Sequence, residues 1–447
     1  MDGAAALVSL TGLGLLVHES VYFASRGTSH ITDDLAPVLA VHAGSRTRAA
    51  LHAAFIVAAL VAFVQPSRAA AAALGLTLVA LIATFPTRSP NHLVVALFLI
   101  GPSALGIPSP DAIQGGRGIT AMTYLLAAFH KINRSYFEKT TSCAYGLVLH
   151  YLLQRDLVAV RRRLNASVVI WAVLLAELAL PGLLLVPASR SLGLAIGIGL
   201  ALAFGFIGHP HFSIVMLAGL STFVTGPLML VPPDTTALAA AALSGLLLSA
   251  LLGNTAAYRY PRLAALNYFA LAYVACRVAA TAFGPGGTAT SAWEPPQTLV
   301  PLFLLYAANG VAPYLGLKFD GSLAMFSGLR PDRWDHLLIG RPRRWLEPRY
   351  LTDLTLTAGE DIGPVQRIAS DLLPRVAHDA YTVGYVVAVC RELERRGHPH
   401  PVTAAGLLTR ENREMRVGGE RGERLRWFER LSLYPYRLPG LGEPLCM

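Results

Sequence analysis

The sequence predicts an all-α polytopic membrane bundle of about 9–11 spans with a small C-terminal α+β domain. Hydrophobic residues make up 54% of the 447 residues and charged residues only 14%, against about 25% charged in soluble domains. Apolar runs of roughly 20 residues, the length that crosses a bilayer, recur up to residue 317. From Lys318 arginines, acids and prolines become frequent. We therefore predict a transmembrane domain at 1–317 and a soluble tail at 318–447.

The predicted spans are separated by Pro- and Gly-containing joins such as "QPSRA" and "GHPHF". The weakest, 236–252, could also be a shallow interfacial helix. Residues 132–166 alternate apolar and polar positions at helical spacing, which predicts an amphipathic helix on the membrane surface. The spans run over 5–24, 48–65, 69–86, 92–108, 118–131, 167–187, 190–208, 211–231, 236–252, 263–283 and 297–316.

Basic residues indicate the orientation and the partners. Segment 132–166 carries Arg134, Lys139, Arg155 and the run 161–163, so it is expected to face the cytoplasm. The Arg-rich, Lys-poor composition is typical of GC-rich bacteria and suggests the bacterial inner membrane. The net charge of +10 suits anionic lipid head groups. No helix-turn-helix, zinc finger or aromatic-basic repeat is present, so the sequence predicts membrane lipids and no nucleic acid as partners.

The tail has signals of both strand and helix. Residues 348–361, "PRYLTDLTLTAGED", alternate like a strand. Residues 379–400 are typical of an amphipathic helix that ends at Gly397. Residues 404–428 predict a polar hairpin or loop.

Lys131 is the most informative residue. The chain has three lysines, Lys131, Lys139 and Lys318, whereas Lys and Arg together number 37. Arginine stays charged in proteins, but desolvation at an apolar boundary can leave a lysine amine neutral, and a neutral amine is a general base. The alternative is a lysine that snorkels to the interface and anchors a helix end.

Other polar groups also lie in or beside apolar runs, where they are expensive and rarely accidental. Asn91 and His92 begin a span and could hydrogen-bond an oxyanion. His209 and His211 form an H-x-H pair, but no nearby Asp, Glu or Cys completes a ligand set, so the sequence predicts no metal site.

Glu177 lies inside an apolar span, four residues before Pro181. A buried carboxyl group either pairs with a cation or keeps its proton. Arg277, inside another span, is one candidate partner.

Five stretches resemble the transmembrane domain of the vitamin K-dependent gamma-glutamyl carboxylase family and its bacterial relatives, the HTTM (horizontally transferred transmembrane) family. "FHKINRSYF" resembles the lysine motif of that family through Lys131, Ile132, Asn133 and Tyr136. Asn91-His92 resembles its Asn-His pair. "HPHF" and "ELALP" fit helix starts and an acidic span, and 317–339 resembles the start of the bacterial tail, with Gly328 and Asp335 in place of asparagines.

The resemblance implies a membrane-embedded, quinol-dependent enzyme. Its cofactors would be a reduced quinone (a vitamin K-type hydroquinone) and dioxygen, which give an epoxide and a strong base. That base would act on a second substrate, such as a peptide glutamate, to which carbon dioxide can add. The resemblance assigns catalysis to Lys131, His92 and Asn91, which should share one apolar cavity. It assigns quinone binding to His130, Tyr136, Glu177, His209 and His211.

A non-enzymatic function remains open. The tail is far smaller than the soluble region of the carboxylase, so γ-carboxylation itself is not implied. The alternative is an HTTM membrane protein that acts as a partner in peptide-toxin maturation, export or immunity. Lys131 would then be a structural member of an ion pair, with Glu177 as its candidate partner.

Overall fold

A computed structural model gives the fold of the chain. It describes residues 3–26, 45–84, 91–225, 228, 235–253, 255, 258–284, 287–289, 291–315, 336–339, 350–357, 380–383, 386–387, 390, 403–408, 414–418 and 437–438. Most of the predicted family segment 317–339 lies outside these residues.

Among the elements whose bounds are described, the helices precede the strands along the chain. Three short 3₁₀ helices (Pro187–Ser189, Gln297–Leu299 and Ala312–Leu315) accompany the α-helices. Within the described residues the α-helices are α1 (Gly3–Arg26), α2 (Ser45–Val64), α3 (Arg68–Thr84), α4 (Asn91–Ala104), α5 (Ser109–His130), α6 (Arg134–Phe137), α7 (Cys143–Gln154), α8 (Val158–Arg163), α9 (Ala166–Leu185), α10 (Arg190–Ile207), α11 (Pro210–Ser221), α12 (Thr235–Leu252), α13 (Pro261–Phe283) and α14 (Val300–Val311).

Each of the eleven predicted apolar runs coincides with one of these helices, with differences at the ends. Helix α5 begins at Ser109, nine residues before the predicted start at 118, because Pro110 occupies its first turn, where the missing N–H costs nothing. Helix α11 ends at Ser221 and not at 231.

The single amphipathic helix predicted over 132–166 is wrong, because the segment divides into α6, α7 and α8. Asn133 starts α6 as its N-cap, and its side chain accepts a hydrogen bond from the backbone N–H of Tyr136. Between α7 and α8, Asp156 has a left-handed backbone with φ of 54°, which interrupts helical hydrogen bonding.

Within the described residues, five helical segments are long and apolar enough to cross a membrane, which is compatible with a membrane protein. They are Gly3–Val21, Ala166–Leu185, Pro187–Ile207, Thr235–Leu252 and Pro261–Phe283. Four shorter apolar helices accompany them: Ala49–Val64, Arg68–Ala83, Asn91–Ala104 and Pro210–Ser221. The run at 236–252, the weakest in the sequence, is one of the five.

The strands form a small antiparallel sheet in the order β4-β3-β1-β2-β5. The predicted strand at 348–361 is confirmed as β1, and β3 and β4 form the predicted hairpin. The strands are β1 (Tyr350–Thr357), β2 (Ala380–Thr382), β3 (Thr403–Leu408), β4 (Glu414–Gly418) and β5 (Arg437–Leu438).

The helix predicted at 379–400 falls largely outside the described residues. Its first positions belong to β2. The four helical positions described after β2 are buried and follow the i, i+3, i+4, i+7 spacing of one helix face, as the amphipathic pattern predicts. They are Val383, Val386, Val387 and Cys390.

Helices α1, α5 and α11 pack closely through small residues. A Cβ at Gly219 of α11 would overlap the Thr120 side chain of α5, and a Cβ at Gly116 of α5 would lie 2.7 Å from Thr222 Cγ2. Residue numbers rise along α5 as they fall along α11, so these two helices are antiparallel.

Two buried arginines bind backbone carbonyls near the end of the bundle opposite Lys131. Arg117 Nε donates to the carbonyl of Thr222 at 2.8 Å, and Arg190 donates to the carbonyl of Ser291 at 3.1 Å. Both guanidinium groups lie just under 6 Å from the ring centre of Phe223, a cation–π distance. These contacts fix the end of α11 against its neighbours.

We expect Gly219→Ala to destabilise the protein, because the added methyl group has to push α11 away from Thr120. The cost of such overpacking is about 1–3 kcal/mol, and it should appear as a lower melting temperature in detergent. The matched control is Gly199→Ala on α10, where the position is exposed and a Cβ meets nothing within 4 Å. An equal loss in both variants would contradict close packing at Gly219.

Candidate functional site

Lys131 and Glu177 form a buried ion pair. The Lys131 Nζ atom lies 2.7 Å from Glu177 Oε2, and the two side chains are 1% and 5% exposed. Lys131 follows the last residue of α5, and Glu177 lies in the middle of α9. The lysine therefore turns into the bundle, in contrast to the snorkelling alternative. Of the two candidate partners of Glu177, Lys131 and Arg277, the structure pairs the acid with Lys131.

The residues after Lys131 hold the turn that aims it inward. The Asn133 side chain donates to the His130 carbonyl at 2.7 Å and accepts from the Tyr136 N–H at 2.8 Å. One amide thus ties the end of α5 to the start of α6. The backbone of Asn133 also forms a β-bridge with His336, so the first part of the tail packs directly on this turn.

His130 and Tyr136 serve structural contacts. His130 Nδ1 lies 2.7 Å from the Tyr314 hydroxyl, and the two rings are stacked. The Tyr136 hydroxyl donates to the Ile170 carbonyl at 3.2 Å. Burial, and then the charge of Glu177, raise the pKa of Tyr136 well above its usual range, so this phenol stays protonated. These contacts position the turn and give no direct support to quinone binding by either residue.

A second buried group consists of three histidines from three helices, which we call the histidine cluster: His18 of α1, His92 of α4 and His211 of α11. The His92 Nε2 and His18 Nδ1 atoms lie 2.8 Å apart. The ring centre of His211 lies 4.5 Å from that of His92 and 5.3 Å from that of His18. Asn91, beside His92, is also buried.

Other polar groups surround the histidine cluster. Glu19, next to His18, lies 2.7 Å from Nε2 of His52 on α2. The ring of His209 lies 6.0 Å from that of His211, so the H-x-H pair itself does not form a compact ligand set. His209 is only partly buried at the start of α11.

The ion pair and the histidine cluster lie at similar depth. Near the opposite end, Leu7 of α1 packs at Gly116 of α5. His18 lies eleven residues after Leu7, and Ala127 lies eleven residues after Gly116. Eleven residues of α-helix span about 16 Å at 1.5 Å per residue. The Lys131 amine turns back to within 3.5 Å of the Ala127 carbonyl.

This estimate requires α1 and α5 to run in the same direction, and their packing against α11 shows that they do. Gly14 of α1 approaches Val215 of α11, and His18 then meets His211. Helix α1 is therefore antiparallel to α11, as α5 is. The amine of Lys131 and the imidazole of His18 thus lie within about one helical turn of the same level.

Sequence reasoning found Lys131, Glu177, His92 and His211 but assigned no role to His18 or His336. The neighbours of His18 in space come from helices 74 and 193 residues further along the chain, so no motif joins them. His336 lies in the segment that resembles the bacterial tail, and it donates to the Phe129 carbonyl at 3.1 Å. Only packing reveals the contacts of either residue.

Neither a protein-family model, nor a curated protein, nor a solved structure matches this chain.

We predict that Lys131→Met and Glu177→Gln each lower stability, because each leaves one buried polar group without its partner. Breaking a buried pair in this way costs about 3–5 kcal/mol. The double variant should be more stable than the sum of the two losses implies, since both charges are then gone. Thermal melting in detergent measures the stability of the wild-type protein, the two single variants and the double variant.

Lys139→Met is the control, because Lys139 is exposed eight residues further along. It should leave the melting temperature nearly unchanged. Strictly additive losses at Lys131 and Glu177 would contradict a direct interaction between them.

Proposed function

We propose that the chain is a multi-pass protein of the bacterial inner membrane and a quinol-dependent enzyme of the carboxylase type. The observation that carries this proposal is the buried contact between Lys131 and Glu177 inside a bundle of apolar helices. Charged groups in an apolar bundle are costly, and those that occur commonly mark functional paths or sites. The resemblance of "FHKINRSYF" to the lysine motif supports the same assignment.

The apolar exterior of the helices supports a location in the membrane. Large side chains of α9 and α12 are exposed, while Glu177, the one ionisable residue in these two helices, is buried. This polarity is the reverse of a soluble protein, in which ionisable groups cover the surface. The exposed side chains are Val168, Trp171, Leu175 and Leu178 on α9, and Leu243, Leu246, Leu247 and Leu251 on α12.

The surroundings of the pair suit an apolar substrate with a hydroxyl group. Glu177 lies on the same helix as Ile170 and Leu174, which pack with Tyr136 and Ala128 in one buried apolar group. A reduced quinone has this chemistry, and with dioxygen it supplies the strong base needed to activate a second substrate.

The residues of the chain have distinct tasks in this proposal. Before it can act as a base, Lys131 passes a proton to Glu177, and this transfer is accessible because a neutral pair is less costly in a dry interior than two ions. Lys131 then takes a proton from a substrate hydroxyl at Nζ: an N–H bond forms as an O–H bond breaks. His92 and Asn91, at the same end of the bundle, donate hydrogen bonds to the oxygen that becomes negative.

We propose that the tail presents the second substrate and that this substrate is a peptide. The backbone N–H of Leu337 donates to the Ile132 carbonyl at 2.9 Å, so a residue in the first part of the tail contacts the residue next to Lys131. Carbon dioxide would add to the activated substrate.

Replacement of Lys131 tests the base assignment. Lys131→Ala and Lys131→Arg should both lower quinol-dependent oxygen uptake by about 10²–10⁴-fold, the usual effect of losing a general base. Arginine keeps its proton and cannot act as a base. Small amines should partly restore the Ala variant. Lys139→Ala and Lys139→Arg, at an exposed lysine on the same segment, should retain wild-type rates.

A second candidate function is the non-enzymatic membrane partner in peptide-toxin maturation, export or immunity. The 2.7 Å contact between Lys131 and Glu177 favours it, since the pair joins α5 to α9 and could be purely structural. In that case Lys131→Arg keeps the pair and the function. A folded Arg variant with wild-type oxygen uptake would overturn the base assignment, and absence of quinol-dependent uptake in the folded wild-type protein would favour the partner.

A further inference from the structure

We propose that the histidine cluster binds one divalent first-row transition-metal ion of the zinc or cobalt type. Among the described residues, His18, His92 and His211 each offer one ring nitrogen, and these three nitrogens lie within 4.8 Å of one another. All three side chains are at least nine-tenths buried. This inference concerns metal binding alone and does not depend on quinol chemistry.

The distances are close to those of a metal site. Zinc–imidazole bonds of about 2.0–2.1 Å in tetrahedral geometry place ligand nitrogens roughly 3.3–3.4 Å apart. His18 Nδ1 and His92 Nε2 are 2.8 Å apart, somewhat closer than this. Small rotations of the rings about their side-chain bonds would bring the three nitrogens to ligand separations.

The hydrogen bond between His18 and His92 is the main competitor of the metal. In that bond one ring nitrogen carries a proton, whereas both nitrogens must offer lone pairs to an ion. A neutral imidazole can move its proton to its other nitrogen. Metal binding therefore requires a change of tautomer and exchanges one hydrogen bond for two coordination bonds.

The type of ligand determines the class of ion. Imidazole suits zinc, copper, iron and nickel, whereas magnesium and calcium prefer oxygen ligands. Three histidines leave a fourth tetrahedral position for water or a substrate oxygen, as in catalytic zinc sites. Because α1, α4 and α11 each supply one ligand, an ion would also tie these helices together.

The surrounding residues can orient the ligands. Asn91 is buried directly beside His92, and Glu19 with its partner His52 lies beside His18. Carboxylates and amides near ligating histidines commonly fix the ring orientation. His209 contacts the edge of the cluster but stands 6.0 Å from His211 between ring centres, which makes it a close control outside the proposed ligand set.

The test is metal binding by the full chain in nanodiscs, purified with a tag that contains no histidine. After treatment with a chelator, Co²⁺ is titrated and followed by its visible absorption, and Zn²⁺ is counted by mass spectrometry of the metal. We expect one ion per chain and a melting temperature that rises with Zn²⁺ concentration. No quinol is present, so this result is independent of the enzymatic proposal.

Variants locate the ion. Loss of an outer residue at a metal site costs about 10–100-fold in affinity, so His18→Ala, His92→Ala and His211→Ala should each cost at least that much. His209→Ala should keep wild-type affinity. Folded wild-type protein that binds no stoichiometric Zn²⁺ or Co²⁺ would overturn the proposal even if the variants fail to fold. Equal loss of binding in His209→Ala would also overturn it.

Discussion

The buried contact between Lys131 and Glu177 constrains the rest of the bundle. Two ionisable groups removed from water need one another, because an unpartnered charge at either position would be strongly destabilising. The contact requires the end of α5 to turn inward and Glu177 to face α5 and not the outside of the bundle. Three features stabilise this geometry: the side-chain hydrogen bonds of Asn133, the packing of α9 on α5 and the backbone bridge from Asn133 to His336.

Close helix packing brings the second polar group to the same level. Glycines at the contacts of α1, α5 and α11 let these helices approach closely, and the antiparallel course of α11 returns His211 to the level of His18. At the opposite end, Arg117 binds the carbonyl of Thr222, just after α11, and Arg190 binds the carbonyl of Ser291. These structural arginines thus lie near one end of the bundle and the ionisable residues of the candidate site near the other.

Much of the fold could be predicted from the sequence, because apolar runs of bilayer length and a sharp change of composition are local signals. The helix at 236–252 and the strand at Tyr350–Thr357 follow from such patterns. The division of 132–166 could not be predicted from periodicity, since it depends on one side-chain cap at Asn133 and one left-handed residue at Asp156.

The site was predictable residue by residue but not in its pairings. Lys131 and Glu177 were singled out because charges in apolar runs are rare. Their contact depends on how α9 packs against α5, which no short-range pattern encodes. The histidine cluster shows the same limit more clearly: His18 carries no motif, and an H-x-H spacing drew attention to His209, whose ring lies outside the compact group.

The burial of Lys131 can be tested most directly by chemical labelling, because the chain has only three lysines. A membrane-impermeant amine-acylating reagent is applied to the protein in nanodiscs, which expose both faces, and each lysine is quantified by peptide mass spectrometry. The account predicts rapid labelling of exposed Lys139 and protection of Lys131. Labelling of Lys131 as fast as Lys139 in folded protein would show that its amine reaches water, and it would contradict the buried pair on which this account rests.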